Sequence, residues 1–488
     1  MDKDLMSIQE VRDLIASAKL AQKKLGEMSQ GQIDKIVKAI CDSAFNNAEK
    51  LAKMAEEETG FGKWQDKIVK NTFASKSVYD YIKDLKTVGI INEDSDKKLV
   101  EVAVPVGVIA GLIPSTNPTS TAIYKSMIAI KAGNSIVFSP HPMAKKCILE
   151  TVRIISQAAM AAGAPEGTIG CMSIPTMQGT EELMKNSDIS LILATGGTPM
   201  VKAAYSSGNP AIGVGPGNGP AFIEKSADIA LAVKRILDSK TFDNGTICAS
   251  EQSIVVEACS KDKVISELKA QGAYFLNKEE ADRLAGFILR SNGSMNPQIV
   301  GKSVEAIAKM ANLNVPTGAR VLIAEETNVG HKYPYSREKL APILAFYCEE
   351  TWEKACSKCI DILNNEGAGH TLIIHSNNED IIREFALKKP VSRLLVNTPG
   401  SLGGIGATTS LVPALTLGCG AVGGSATSDN IGPMNLLNIR RLVYGIREIE
   451  DIVDRKNTSS SSSRNENLNE DSINIIVEKI MEKLKSQL

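Results

Sequence analysis

Cys248 stands in "TFDNGTICASEQ" (Thr241–Gln252), just after the turn signal Asn244-Gly245 and among small residues. A thiol so placed can attack an electrophilic carbon, or it can be one more small core residue among nine scattered cysteines. A second polar group lies in "GLIPSTNPTSTAIYKS", where Ser115, Thr116 and Asn117 follow an apolar run and precede a helix with Pro118 near its first turn. That is the carboxyl end of a strand, the place where open α/β sheets bind ligands. Asn117 can cap the helix or offer its amide to an oxyanion, and residue type alone leaves both open. "ATGGTPM" (Ala194–Met200) has the same setting, and Gly196 and Gly197 leave N–H groups open to a phosphate at a helix N-terminus. "GVGPGNGPAFIE" (Gly213–Glu224) carries glycine at four alternate positions and two prolines. It suits backbone that approaches a ligand closely, or an irregular linker.

Two other patterns carry less. "GCGAVG" (Gly418, Gly420, Gly423) fits GxGxxG, but "SATSDNIGPMN" follows where the dinucleotide motif needs a helix start. Close packing or a loop lining a site is the expectation there. Cys356 and Cys359 form a lone CxxC with no second pair and no histidine pair at ligand spacing, so they read as two positions on an amphipathic helix, and no metal is expected.

The elements that must position these groups follow from periodicity. Residues from about Ser7 to Leu85 have apolar side chains at three- and four-residue spacing and read as helices. "KKLVEVAVPVGVIAGLIP" reads as an alternating strand, broken at Pro105 and Gly107, then a buried parallel strand. From there helix and strand alternate through "AIYKSMIAIKAG", "NSIVFSP", "CILETVRIISQAAMAAG", "LILATGG" and "PMVKAAYSSG". Such alternation means βαβ units and a doubly wound sheet. A second alternating region starts around Cys248, with "SIVVE", "RVLIAE", "HTLIIHS" and "SRLLVN" as strands. The fold class is therefore α/β, with two α/β domains in sequence. "NLLNIRRLVYGI" reads as a strand or strand-helix element returning to the fold.

The chain has 488 residues, 43% hydrophobic and 23% charged, with a net charge of −1. This is a globular composition, too long for one core, with no basic field to draw it to nucleic acid or membrane. "MDKDLMSIQE" has no apolar core of a secretory signal, so a cytoplasmic protein with reduced thiols is expected. Lys456–Asp471, "KNTSSSSSRNENLNED", is a flexible serine-rich linker. Beyond it, Ile473, Ile476, Val477, Ile480, Met481, Leu484 and Leu488 form one stripe of an amphipathic helix suited to docking on a partner.

"PSTNP", "ATGGTPMV", "GPGNGP", "GTICASEQ", "REKLAPIL" and "EGAGHT" occur in this order. Over roughly Ser7–Arg455 the chain resembles the CoA-acylating aldehyde dehydrogenases, and "VFSPHPMAKK" is similar to that branch. The resemblance implies that Cys248 is the nucleophile, forming a thiohemiacetal and then a thioester. Asn117 and the Cys248 N–H would stabilise the oxyanion. Glu338 would hold the nicotinamide ribose, and Thr195, Gly196 and Gly197 the pyrophosphate, with Ser115, Thr116 and His141 on the cofactor path. His370 also lies in a family motif, with no role assigned. NAD is the implied cofactor and coenzyme A the co-substrate. The implied domains are 1–240 for NAD, with a strand arm near 98–104, 241–415 for the cysteine, and 416–455 as a return segment and oligomerisation arm. A homodimer or homotetramer is implied.

Two departures from acid-forming relatives bear on the product. Ser139 stands where they carry a cofactor lysine, and Val214 stands near the place of the glutamate that activates water. General-base help is typically worth about 10²–10⁴-fold, so its loss favours a thiol over water in releasing the thioester. An acid-forming dehydrogenase, or a scaffold without catalysis, is the alternative. The linker (456–471) and terminal helix (472–488) resemble the encapsulation peptides of bacterial microcompartment enzymes. This implies docking to shell or cargo in the lumen, and propionaldehyde or acetaldehyde as substrate.

Overall fold

The computed structural model describes residues 2–452, and beyond them Asn474, Ile475, Val477–Lys479 and Glu482. The serine-rich linker 456–471 and most of the helix expected at 472–488 lie outside the described residues. The chain divides into a main body, Met1–Ile91 with Val102–Arg440, and a second unit, Asn92–Glu101 with Arg441–Leu488.

The main body opens on helices Lys3–Leu25, Gln30–Asn46, Ala48–Thr59 and Trp64–Thr72. Ser29 and Gln32 close a capping box at the start of the second. Gly60, at φ 64°, ends the third in the left-handed conformation that a residue without Cβ takes freely. Ile33, Ile36, Val37, Ile40 and Ala44 form the buried stripe of the second helix, as their spacing predicts. The fourth is inside out. Lys67, Lys70 and Asn71 are buried while Val69 is half exposed.

Strands β1 (Gly89–Asp94) and β2 (Leu99–Pro105) come next. Then follow β3 (Val108–Ile113), β4 (Ser135–Pro140), β5 (Ile169–Cys171), β6 (Ile189–Ala194) and β7 (Ala211–Gly213). These last five form one parallel sheet in the order β5-β4-β3-β6-β7. The chain winds outward from β3 in one direction and restarts at β6 in the other. The carboxyl ends of β3 and β6 therefore sit side by side at the switch point, where a crevice opens. All six residues of β3 are buried, because helices cover both faces.

A seven-stranded parallel sheet follows: β8 (Gly219–Ile223), β9 (Glu251–Glu257), β10 (Ala273–Phe275), β11 (Val321–Glu325), β12 (Ile343–Glu349), β13 (Gly369–His375) and β14 (Val391–Val396). Its order is β10-β11-β12-β9-β8-β13-β14. Finally β15 (Leu437–Val443) joins a three-stranded sheet in the order β1-β2-β15. In the second unit, Arg441 pairs with Glu101 at 3.1 Å and the Tyr444 N–H donates to the Lys98 carbonyl at 3.2 Å.

One expectation is corrected here. A first domain ending at residue 240 would include Gly219–Ile223, but that segment is β8, central in the second sheet. Helix Ile229–Thr241 packs there too, with Ala232, Val233, Ile236 and Leu237 in one cluster with Ile254, Val256 and Ile323. The chain leaves the first sheet after Gly213. Alternating glycines erase the side-chain pattern that would have marked the crossing, and Pro220 masks the strand.

Candidate active site

The sheet topologies explain how distant motifs meet. Ser115, Thr116 and Asn117 leave the carboxyl end of β3, and Thr195, Gly196 and Gly197 leave that of β6. From the second sheet come the segments before the amino ends of its central strands: Val214–Asn218 before β8, Cys248 before β9, Glu338 before β12 and Glu366 before β13. All of them contribute to one cavity of about 400 Å³. His141 lines it as well. A second cavity of about 720 Å³ shares His141, Thr195, Gly196 and Gly197 with the first and runs on between helices Met177–Lys185 and Thr198–Tyr205, past Ser139. The two make one elongated cleft whose far end lies well away from the thiol.

Every residue singled out as catalytic or cofactor-binding thus lines a single cleft. Other motifs stay outside it. Cys356 and Cys359 are buried on helix Trp352–Asn365, with Cys356 Sγ against the Lys389 ammonium. "GCGAVG" forms a tight turn rather than a helix start: a Cβ on Gly423 would stand 2.5 Å from the Ala368 carbonyl oxygen. His370 is fully buried, with Nδ1 on Thr371 Oγ1 at 2.9 Å and no partner at Nε2. Among the described residues, no three His, Cys, Asp or Glu side chains are grouped to hold a metal.

Cys248 is half-buried and faces the cavity. Burial, and after it the Glu338 carboxylate, push its thiol up to about 12. Resting Cys248 is therefore a thiol rather than a thiolate. Gly217 presses on it from the neighbouring segment: a Cβ there would stand 1.9 Å from the Cys248 carbonyl oxygen, so no other residue fits without moving the loop of Cys248.

Asn117 occupies the N-cap position of helix Pro118–Lys131, but its side chain makes no capping bond. Its amide turns toward the cysteine loop. Nδ2 donates to the Thr246 carbonyl and to Thr116 Oγ1, both at 3.3 Å, and Oδ1 accepts from Lys70 Nζ at 2.5 Å. The capping alternative is excluded by this geometry, and the NH2 group meets the turn that carries Cys248 at the Thr246 carbonyl.

The cavity holds carboxyl groups although "GVGPGNG" contains none. Val214 is buried in the lining, as an apolar residue should be. Glu338 Oε1 accepts from the Gly217 N–H at 2.8 Å, and Glu366 Oε2 accepts from the Glu338 N–H at 2.8 Å. Burial, then the neighbouring Glu366, push Glu338 up to about 8. The carboxyl is largely protonated at pH 7, and its backbone bond holds it in place. Lys339 also lines the cavity, but its ammonium donates to the Tyr335 and Arg337 carbonyls, both at 2.6 Å.

Sequence reasoning missed Lys67, Lys70 and Asp243. Asp243 lies five residues before Cys248, in a left-handed conformation (φ 48°) that is uncommon for a side chain with Cβ. Both lysines pair with its Oδ2, Lys67 at 2.9 Å and Lys70 at 2.5 Å. No local signal in "WQDKIVKNT" marked them, because apolar periodicity would bury Ile68 and Val69 and leave the lysines in solvent.

The family model described as "Aldehyde dehydrogenase family" matches residues 4–406. The chain is 44% identical over 437 residues to the bifunctional aldehyde-alcohol dehydrogenase of Escherichia coli K12, covering 88% of this chain and 49% of that one. It thus spans about half the length of the aldehyde-alcohol dehydrogenases it matches. It is 40% identical over 438 residues to the acetylating succinate-semialdehyde dehydrogenase of Clostridium kluyveri, covering 90% of this chain and 96% of that one. Among solved structures, a probable aldehyde dehydrogenase from Listeria monocytogenes superposes with a TM-score of 0.92 at 72% identity, over 93% of this chain and 100% of that one. A propionaldehyde dehydrogenase from a Clostridium phytofermentans fucose-utilisation microcompartment gives a TM-score of 0.81 at 30% identity, over 90% and 98%. A propionaldehyde dehydrogenase from Rhodopseudomonas palustris, solved with propionyl-CoA, gives 0.81 at 29%, over 89% and 94%.

Proposed function

Since the chain belongs to the aldehyde dehydrogenase family, we propose that it oxidises a short, uncharged aliphatic aldehyde, acetaldehyde or propionaldehyde, to the acyl-CoA with NAD as acceptor. Acylating names among its relatives support the use of coenzyme A. The two joined cavities, about 400 and 720 Å³, meet at His141, Thr195, Gly196 and Gly197. The N–H groups of Gly196 and Gly197 at the start of helix Thr198–Tyr205 suit its pyrophosphate, and Glu338 suits a ribose hydroxyl. A nicotinamide cofactor held there supplies the acceptor for the hydride lost by the tetrahedral adduct.

The protein's own groups do the rest. The Cys248 thiol gives its proton to solvent water, and the sulfur then adds to the aldehyde carbon as the carbonyl π bond opens onto oxygen. The oxygen that becomes negative is met by Asn117 Nδ2 and the Cys248 N–H, donors fixed before reaction. When the adduct has been oxidised, Cys248 carries a thioester. Val214, near the place of the glutamate that activates water in acid-forming relatives, offers nothing to activate water, so a thiol is the better acceptor of the acyl group. The sulfur of coenzyme A attacks the thioester carbonyl, acyl-CoA leaves, and Cys248 recovers its proton.

The observation that carries the choice of aldehyde is the charge of the cavity. Its lining pairs Glu338 and Glu366 with apolar Val214, Ile299, Leu340 and Leu417, and the ammonium of Lys339 is occupied by two backbone carbonyls. A terminal carboxylate or sulfonate on the substrate would meet no cation among these groups. The neighbour from a microcompartment supports the encapsulation reading of residues 456–488. The test is kcat/KM for propionaldehyde and for succinate semialdehyde, each with and without coenzyme A. Propionaldehyde is expected to win by at least about tenfold, since the acid would bury an unpaired charge, and to require coenzyme A. A preference for the acid, or equal rates without coenzyme A, would overturn the proposal.

A further inference from the structure

The cluster of Lys67, Lys70 and Asp243 is buried, charged and absent from the mechanism above. Its centre is Asp243. One oxygen, Oδ1, accepts from the Lys63 N–H at 2.7 Å, and the other, Oδ2, takes both lysines and the Thr246 hydroxyl at 2.8 Å. Gly62 makes the room, because a Cβ there would stand 1.8 Å from Asp243 Oδ1. Burial pushes the Asp243 carboxyl up, but Lys70 and Lys67 outweigh it and hold it below its ordinary range.

Lys70 uses its three N–H bonds fully: Asp243 Oδ2, Thr246 Oγ1 at 2.8 Å and Asn117 Oδ1 at 2.5 Å. Burial lowers its ammonium to about 8 against the pull of Asp243, which still leaves it charged at pH 7. An ammonium only donates, so the end of the Asn117 amide that it touches must be the oxygen. The two ends of an asparagine amide are nearly equal in size, and the protein must choose between them. The other contacts choose weakly. Thr116 Oγ1 can donate or accept, and the Thr246 carbonyl is a long 3.3 Å away.

We propose that Lys70 is a positioning residue for the reaction: clamped by Asp243 and Thr246, it pins the carbonyl end of the Asn117 amide so that the NH2 end faces the oxygen of the Cys248 adduct. This rests on Asn117 being the oxyanion donor. With the amide turned over, Oδ1 would face a growing negative charge and oppose the adduct it now stabilises. Lys67 supports the same corner, donating to the Thr116 carbonyl at 3.4 Å. The clamp thus ties the end of β3 to the turn that carries Cys248.

A double-mutant cycle in kcat tests this, with Lys70→Met, which keeps the length and removes the donor, and Asn117→Ala. Removing one oxyanion donor costs about 10²–10³-fold, which is expected for Asn117→Ala. Lys70→Met is expected to lower kcat about 10–100-fold in the wild-type background. In the Asn117→Ala background it should change kcat by less than about threefold, because no amide remains to be oriented. KM for aldehyde and the Kd for NAD should stay within about threefold throughout. Equal losses in both backgrounds, or no loss in the first, would overturn the positioning role and leave the oxyanion reading intact. Wild-type kcat in Asn117→Ala would instead remove the oxyanion reading and the proposal with it. If Lys70→Met does not accumulate folded, Lys70→Leu, which also removes the donor, enters the same cycle under the same criteria.

Discussion

At the scale of the residue, burial keeps the Cys248 thiol protonated. Burial raises Cys248 to about 12, and Glu338 adds to the rise only when it is charged. Glu338 itself titrates at about 8, so below that pH it is neutral and its hold on the thiol fades. Glutamine copies the neutral form. Glu338→Gln should therefore leave the alkylation rate of Cys248 by iodoacetamide unchanged at pH 7. At pH 9, where wild-type Glu338 is charged, the variant should react about 3–10-fold faster, since losing a like charge lowers a thiol's pKa. A slower reaction at pH 9 would show that Glu338 helps the thiolate rather than opposing it. Asn117 shows what residue type leaves undecided. Its N-cap position was legible, but residue type could not show that its side chain leaves the helix uncapped and accepts instead from Lys70, 47 positions earlier.

At the scale of the element, the site is a meeting of strand ends. The carboxyl ends of β3 and β6 face the segments that enter β8, β9, β12 and β13, and rigid strands on both sides hold the donors and the thiol. The segment entering β8 is the tightest of these joints, because Gly217 touches the Cys248 backbone and also donates its N–H to Glu338. Gly217→Ala should lower kcat by about 100-fold, the scale expected for a misplacement of about 1 Å, with no reacting group altered. Near-wild-type kcat would mean that the loop of Cys248 gives way freely. β3, β4 and β6 were legible as apolar runs bounded by turns. β8 was not, because glycine and proline carry no period-two signal, and the boundary expected at 240 failed for that reason. The inside-out helix Trp64–Thr72 could not be read by hydrophobic periodicity either. Its lysines are buried by a carboxylate 173 positions away.

At the scale of the whole molecule, two parallel sheets in one body close a cleft of two joined cavities, with the thiol in the smaller one. Alternating helices and strands announced two α/β lobes, and six ordered motifs announced the site. The pairing of the lobes through Asp243 was hidden, because no local pattern records which buried charges will find each other. The central claim is that Cys248 holds an acyl group that waits for a thiol. The most direct measurement is mass analysis of the Cys248 peptide after mixing the protein with propionaldehyde and NAD in the absence of coenzyme A. One propionyl group should appear on Cys248 and persist, and added coenzyme A should remove it as propionyl-CoA. An unmodified Cys248, or propionate released at a rate that coenzyme A does not change, would contradict the account.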